Sequence, residues 1–357
     1  MIENRLQALR ALLEEKKLDA VIVTKYVNLH YFSGFRGDDT TLVISRDKAM
    51  LITDSRYTEQ AAQQAPLFEL VQQKEGLLSK TAECVKAIGA KQVGFEGNAL
   101  IYDDFSRLSE LLTGIRFDTA LKLDSLRQIK DQEELGHIRK ACKIADIAFN
   151  DMLTYVRPGM TETQAAAHLE NCMRENGSEG PSFTTIMASG VRGCLPHGIA
   201  TDKVIKEGEF LTMDFGAISA GYDSDITRTI CIGHADERQR RIYQAVLESQ
   251  LLGLTKIRPG VSGKSVHMAV RDNLAKYDLA QYFGHGLGHS LGLEIHEEPR
   301  LSPASTCESL QPNMLVTDEP GVYISGWGGL RIEDTVLVTE TGCEPLTKSS
   351  KELIEIL

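Results

Sequence analysis

Five residues in the C-terminal part of this chain have side chains of the types that bind metal ions: Asp214, Asp225, His289, Glu319 and Glu333. Each lies in a short, distinctive context: Met213-Asp214-Phe215-Gly216, Ser224-Asp225-Ile226-Thr227, Gly288-His289, Asp318-Glu319-Pro320-Gly321 and Arg331-Ile332-Glu333-Asp334. Four carboxylates and one imidazole can hold two divalent cations side by side, roughly 3.5–4 Å apart, and a water shared by two cations is acid enough to become a nucleophile at neutral pH. That chemistry belongs to a hydrolase. A donor set of oxygens with one imidazole suits Mn²⁺ or another hard-to-borderline ion better than a thiolate-selecting one.

The elements around these residues must point them at one another. In Leu211–Gly216 apolar and polar residues alternate, which predicts a strand with Leu211, Met213 and Phe215 on one face and Thr212 and Asp214 on the other. Residues 217–221 can turn the chain, so Tyr222–Thr229 is expected to return as a second strand with Asp225 across from Asp214. Aspartate is depleted from strand interiors, so two at such positions call for partners. In Gly284-His285-Gly286-Leu287-Gly288-His289 the glycines oppose a helix and allow close backbone approach. The following His296-Glu297-Glu298-Pro299-Arg300 starts like a zincin motif but lacks its second histidine. Glu319 sits just before a Pro-Gly turn, and Arg331 and Glu333 are expected on one strand face, where the arginine would keep a carboxylate ionised or grip a substrate carboxylate.

The second half of the chain carries a weak internal repeat. Arg157-Pro158-Gly159 recurs as Arg258-Pro259-Gly260. Each copy ends one helix and precedes another, Glu162–Asn176 and then Ser265–Tyr277, followed by a histidine-bearing segment and two acids on strand-like sequence. Two such halves would bring all four carboxylates to a shared interface. Upstream, Asp124–Glu134 is highly charged and reads as a linker into a long helix whose apolar face is Ile138, Cys142, Ala145, Ala148, Phe149 and Met152. Before it, helical spacing of Ile2, Leu6, Leu9 and Leu13 gives way to short apolar runs at Ala20–Val23, Thr41–Ser45, Ala49–Thr53, Phe68–Val71, Val93–Phe95 and Ile115–Phe117. Amphipathic stretches such as Leu77–Ile88 and Phe105–Leu112 lie between them, which describes an α/β module with a mixed sheet and no glycine-rich phosphate loop.

The whole chain has 357 residues, enough for two domains, with 42% hydrophobic and 25% charged residues. A net charge of −11 argues against a nucleic-acid partner. No apolar run approaches the ~20 residues that cross a bilayer, and the charged N-terminus has no signal-peptide core, so a cytoplasmic protein without membrane association is expected. The seven cysteines are scattered and form no C-x-x-C pair, as reduced and mostly buried thiols would. Cys194, close to His197, is expected to be a small apolar filler.

Taken in order, the strings S-G-x-x-x-x-x-P-H (from Ser189), D-F-G, G-Y-x-S-D-I-T-R-T (from Gly221), H-G-x-G-H, H-E-x-P, E-P-G and G-G-x-R-I-E-D resemble those of the "pita-bread" metallopeptidases, which include methionine aminopeptidase, aminopeptidase P and prolidase. The resemblance is strong over about residues 130–350 and weaker before them. The Arg-Thr after Ser-Asp-Ile-Thr, the Arg-Ile-Glu-Asp string, the N-terminal module and its Thr53-Asp54-Ser55-Arg56-Tyr57 segment favour the X-prolyl branch. It implies an α/β N-terminal domain with a mixed sheet (residues 1–124), then an α+β pita-bread catalytic domain of the creatinase/aminopeptidase type with an internal pseudo-twofold repeat (125–357).

The resemblance assigns Asp214, Asp225, His289, Glu319 and Glu333 as ligands of two divalent ions, Mn²⁺ or else Co²⁺. It makes Glu319 also the proton shuttle, His197 and His296 the groups that hold substrate and stabilise the transition state, and His285, Tyr323 and Arg331 the pocket lining. It implies small peptide substrates with proline second, a homodimer, and an Xaa-Pro dipeptidase (prolidase), with aminopeptidase P as the alternative. A non-catalytic binding relative would have lost a ligand, and all five stand here. Thr184, Asp318 and Ser290 depart from the family pattern. Strand alternation aims Asp318 away from the site.

Overall fold

The apolar spacing at the start of the chain folds as read. In the computed structural model, which describes residues 2–118 and 121–357, helix α1 (Ile2–Glu15) buries Leu6, Leu9 and Leu13. Strand β1 (Ala20–Val23) follows, buried at all four positions. Then come α2 (Tyr26–Ser33), β2 (Thr41–Ser45), β3 (Ala49–Thr53), α3 (Thr58–Gln64), β4 (Glu69–Gln72), α4 (Leu77–Ala87), β5 (Gln92–Phe95), α5 (Tyr102–Leu111) and β6 (Arg116–Asp118). The strands form one mixed sheet in the order β4-β3-β2-β1-β5-β6. Its β1–β2 and β2–β3 pairs are antiparallel, and its β3–β4, β1–β5 and β5–β6 pairs are parallel. Helices α2 and α3 lack a clear apolar period and were not expected from the sequence.

The chain divides into two compact units, residues 1–127 and 128–357. The division falls within the charged stretch Asp124–Glu134, and several of its charges are paired. Leu123–Arg127 is a 3-10 turn in which Asp124 accepts from Lys25 and Asn28, each at 3.0 Å, and buried Arg127 donates to Asn28. In the second unit, Lys130 is buried against Glu297 at 2.7 Å. Asp124, Arg127 and Lys130 are thus each paired within their own unit.

The second unit opens with α6 (Gln132–Tyr155) and α7 (Glu162–Glu175), then β7 (Ile186–Ser189), β8 (Phe210–Phe215), β9 (Ile218–Ser219), β10 (Tyr222–Asp223) and β11 (Ile226–Ile232). The pattern then recurs with α8 (Glu237–Lys256), α9 (Gly263–Ala275), β12 (Gly288–Ser290), β13 (Glu297–Leu301), β14 (Leu315–Asp318), β15 (Gly321–Ile324), β16 (Gly328–Arg331) and β17 (Asp334–Val338). Strands β18 (Cys343–Pro345) and β19 (Glu355–Ile356) close the chain. Asp131, Thr161, Asp236 and Ser262 cap the four helices, the first three through reciprocal capping boxes. Between the two helices of each pair the turn is tied the same way: Gly159 N–H donates to the Ile205 carbonyl, and Gly260 N–H to the Leu310 carbonyl, both at 2.9 Å.

Each half has its own core. Leu211, Met213 and Phe215 of β8, with Ile226 and Ile230 of β11, pack on the apolar faces of α6 and α7. Val316 of β14 and Val336 and Val338 of β17 pack on α8 and α9. At about 1.5–3 kcal/mol per buried large apolar side chain, these faces fix which side of each strand looks inward. The opposite sides, bearing Thr212 and Asp214 in one half and Thr317 in the other, are thereby committed to the interface between the halves.

Candidate metal centre

The repeat sets the four acids in equivalent places. Asp214 lies near the end of β8 and Glu319 directly after β14, while Asp225 directly precedes β11 and Glu333 directly precedes β17. The two hairpins are joined where Glu333 N–H donates to the Thr227 carbonyl at 3.1 Å. Threonines two residues past the second acid brace the opposite half. Thr227 Oγ1 donates to Glu333 Oε2 at 2.5 Å, and Thr335 Oγ1 donates to the Asp225 carbonyl at 2.7 Å.

The register differs from expectation in one detail. Thr227, not Asp225, faces Asp214 across β8–β11. Asp225 lies two residues further along, so strand periodicity still keeps both acids on one face. The expected return strand is also broken, since β10 pairs with β9 before β11 begins. Arg331 and Glu333 do not share a strand, Arg331 ending β16 and Glu333 making an isolated bridge with Thr227 before β17, yet both line the same cavity.

His289 comes from β12, where a Cβ on Gly288 would strike the Thr317 carbonyl, so only glycine admits this contact between β12 and β14. Gly216 is likewise pressed against the Ser224 carbonyl. His289 Nδ1 lies 3.1 Å from the Ser290 carbonyl, which accepts its proton and leaves the Nε2 lone pair facing the acids. That nitrogen is 3.4 Å from Glu319 Oε1 and 3.6 Å from Asp225 Oδ2. Ligand atoms of Asp225, His289 and Glu333 lie within 4.8 Å of one another. Glu319 Oε1 also accepts from Thr317 Oγ1 at 3.0 Å.

The electrostatics fit divalent cations. Burial, followed by the repulsion of neighbouring carboxylates, pushes Asp225 and Glu333 well above the ordinary carboxylate range. Burial and Asp214 raise Glu319 to about 8 against the pull of Arg331. Burial lowers His289 to about 3, a neutral ligand-ready imidazole. Arg331, ion-paired with Asp214, brings one positive charge to four acids. Asp214 Oδ1 and Asp225 Oδ1 are buried without a hydrogen-bond partner. Buried carboxylate oxygens of this kind are costly unless something coordinates them, and cations would.

These groups form the floor of a cavity of about 940 Å³. Every residue singled out from the sequence lines it: the five ligand candidates together with His197, His285, His296, Tyr323 and Arg331. Arg331 donates to Tyr323 Oη at 2.5 Å, and His285 Nε2 lies 3.0 Å from the same oxygen. Burial lowers His285 to about 4, and burial with Arg300 lowers His296, so both are neutral rings at pH 7. The His289 and His296 rings meet edge to face at 4.4 Å.

Cys194 also lines the cavity rather than filling a core; the seven cysteines are unpaired and four of them are buried. Asp318 points away as expected, buried with neither oxygen hydrogen-bonded. Arg300 was missed. On β13 burial alternates, and the exposed positions are Glu298 and Arg300, a period-two signal legible in Glu297–Leu301. Arg300 lines the cavity, and its Nε lies 3.6 Å from Glu298 Oε1.

A carboxylate-rich, histidine-bearing cleft between two pseudo-symmetric α/β halves defines a metal-dependent hydrolase of the pita-bread fold. The chain belongs to metallopeptidase family M24, whose model matches residues 136–340, and residues 5–129 match the creatinase/prolidase N-terminal domain. It is 38% identical over 356 residues to an Xaa-Pro dipeptidase of Pyrococcus furiosus, covering 99% of this chain and 100% of that one. A solved Xaa-Pro dipeptidase from Bacillus anthracis superposes with a TM-score of 0.97 at 41% identity, covering 99% and 100% of the two chains. An X-Pro aminopeptidase structure from Thermotoga maritima gives 0.92 at 35% identity, with the same coverage. No helix among the described residues is long and apolar enough to cross a membrane.

Proposed function

We propose that this chain is an exopeptidase that hydrolyses the Xaa-Pro bond at a peptide N-terminus, with dipeptides as its preferred substrates. The observation that carries this is the cavity floor, where Asp214, Asp225, His289, Glu319 and Glu333 converge and two carboxylate oxygens lack any protein donor. Those five residues would hold two divalent ions, Mn²⁺ or Co²⁺. When bound, the ions supply an acidified water and Lewis-acid polarisation of the scissile carbonyl.

The remaining work falls to side chains. Glu319 accepts the proton of the attacking water and passes it to the departing proline nitrogen. His296, neutral because burial and Arg300 disfavour its charged form, donates an N–H to the carbonyl oxygen as negative charge develops. His197 holds the substrate from the other wall. His285, Tyr323 and Arg331 form a hydrogen-bonded wall beside the scissile bond. Arg300 supports the choice of dipeptides, because a free carboxylate one residue past the scissile bond needs a cation and Arg300 is among the residues that line the cavity. The likeness to the T. maritima X-Pro aminopeptidase keeps longer peptides as the second reading. The same proposal includes a homodimer located in the cytoplasm.

The test is a matched pair, an Xaa-Pro dipeptide and an Xaa-Pro-Xaa tripeptide, with added Mn²⁺ and then with chelator. Chelator-sensitive cleavage of the dipeptide, lost preferentially in Arg300→Ala, is the expected result. Preferential cleavage of the tripeptide would assign the aminopeptidase reading. Failure on both by the metal-loaded protein would overturn the substrate class.

A further inference from the structure

A carboxylate outside the metal centre fastens the loop that carries His197. Glu162 is the first residue of α7 and is fully buried. Its Oε1 accepts from Ser189 N at 2.8 Å and Ser189 Oγ at 2.9 Å. Its Oε2 accepts from Thr201 N at 3.2 Å and Thr201 Oγ1 at 2.9 Å, and is ion-paired with Arg192. These donors come from both sides of the same stretch, so one carboxylate closes the base of the loop. From within that loop Cys194, Leu195, Pro196 and His197 line the cavity.

Arg192 and one further cation, Lys203, tighten the base. Arg192 also donates to the Ile199 carbonyl at 2.8 Å, and Lys203 bridges Ser189 Oγ and Glu209, both at 2.7 Å. On the cavity side the Pro196 carbonyl faces Arg331 Nη1 at 3.4 Å. His197 itself is exposed, and among the described residues no hydrogen bond holds its imidazole. The ring therefore takes its place from the loop backbone. His289, by contrast, is oriented through the Ser290 carbonyl.

We propose that Glu162 is the positioning residue for His197: by clamping Ser189 and Thr201 it sets the loop from which His197 meets the substrate. A bland alternative is that Glu162 only favours the positive N-terminal end of α7. That role needs neither full burial nor donors drawn from both ends of one loop. Burying a carboxylate is costly unless its lone pairs are filled, and here donors of the His197 loop fill them. The proposal rests on the reading of His197 as a substrate contact, and a displacement near 1 Å at such a contact can lower turnover about 10²-fold.

The experiment compares wild type, Glu162→Gln, His197→Ala and the double variant in the metal-loaded protein. Glu162→Gln keeps the size of the side chain and one carbonyl acceptor, and so preserves the fold where Glu162→Ala would endanger it. It is expected to lower kcat/KM about 10- to 100-fold with metal stoichiometry unchanged, and to add less than about twofold in the His197→Ala background. The amides of residues 190–201 are expected to exchange hydrogen faster in Glu162→Gln, whatever the substrate. Equal losses with and without His197, or unchanged exchange in the loop, overturn the proposal. If wild type cleaves no Xaa-Pro peptide, the substrate reading fails by itself and loop exchange decides the role of Glu162.

Discussion

Glu333 and Asp334 are neighbours in sequence, both almost wholly buried, and they face opposite ways from the same strand edge. Asp334 looks toward α8 and is filled from every side. Arg228 donates to its Oδ1 at 2.7 Å and Thr347 at 2.8 Å, while Gln250 and Lys351 donate to Oδ2 at 2.9 and 2.7 Å. Burial alone would push its carboxyl up, but Arg228 and Lys351 hold it below the ordinary value. Glu333 looks into the cavity, where burial, Glu319 and Asp214 drive its pKa well up. One strand edge thus carries a carboxylate satisfied by protein cations beside one whose neighbours are more carboxylates. The first kind of cluster is complete as folded and serves stability. The second is an acidic concentration that divalent cations would neutralise.

The sharpest way to break this contrast is to remove one charge at a time. Glu333→Gln is expected to lose full metal stoichiometry and about 10²–10⁴-fold or more in kcat/KM, while the chelated protein melts no lower than wild type because a repulsion is relieved. Asp334→Asn should do the reverse. It leaves buried Arg228 and half-buried Lys351 against a neutral amide, at a cost of about 3–5 kcal/mol in denaturant unfolding, with metal content retained. Metal analysis and denaturant melts of both variants read the two effects separately. Parallel losses in both variants would show that the two faces are one cooperative unit.

Metal uptake itself sharpens the comparison. Glu319 is raised to about 8, and Asp225 and Glu333 are raised as well, so near pH 7 the metal-free site retains protons that cations must displace. Titration calorimetry with Mn²⁺ in buffers of different ionisation enthalpy is expected to show net proton release at pH 7, shrinking as the pH rises past 8. In Asp334→Asn the release should persist. Release that is absent at pH 7 would mean the acids are already ionised.

Most of this contrast was legible in the sequence, and the reasons differ by residue. The face of each hairpin follows from period-two alternation, so Leu211, Met213 and Phe215 predicted where Asp214 points, and Val316 did the same for Asp318. The convergence of the four acids followed from the repeat, because equivalent loops deliver equivalent residues. The register of Asp225 was off by two, because the short β9–β10 hairpin absorbs residues that a plain turn would leave to the strand. Helix starts were readable but unread: Asp131-x-x-Glu134, Thr161-x-x-Gln164 and Asp236-x-x-Gln239 all form capping boxes. The brace between Thr227 and Glu333, and the choice of Glu162 as a loop clamp, depend on contacts far apart in sequence, which local pattern does not encode.

The smallest expected effect lies on the acid side. Folding lowers the pKa of Asp334, so on acidification the unfolded chain binds this proton more readily than the folded one. Its stabilisation is therefore complete above the ordinary carboxylate value of about 3.9 and is lost as the pH falls through the lower, folded pKa. In chelated protein, melting temperatures taken downward from pH 6 should fall more steeply for wild type below about pH 4 than for Asp334→Asn, which has no proton to gain there. The two curves should converge at the acid end, because protonated Asp334 and asparagine both leave Arg228 and Lys351 without a countercharge. A constant gap between the curves down to the lowest pH would mean that Asp334 stabilises through its four hydrogen bonds and not through its charge, and the two faces of the strand would then differ in packing rather than in electrostatics.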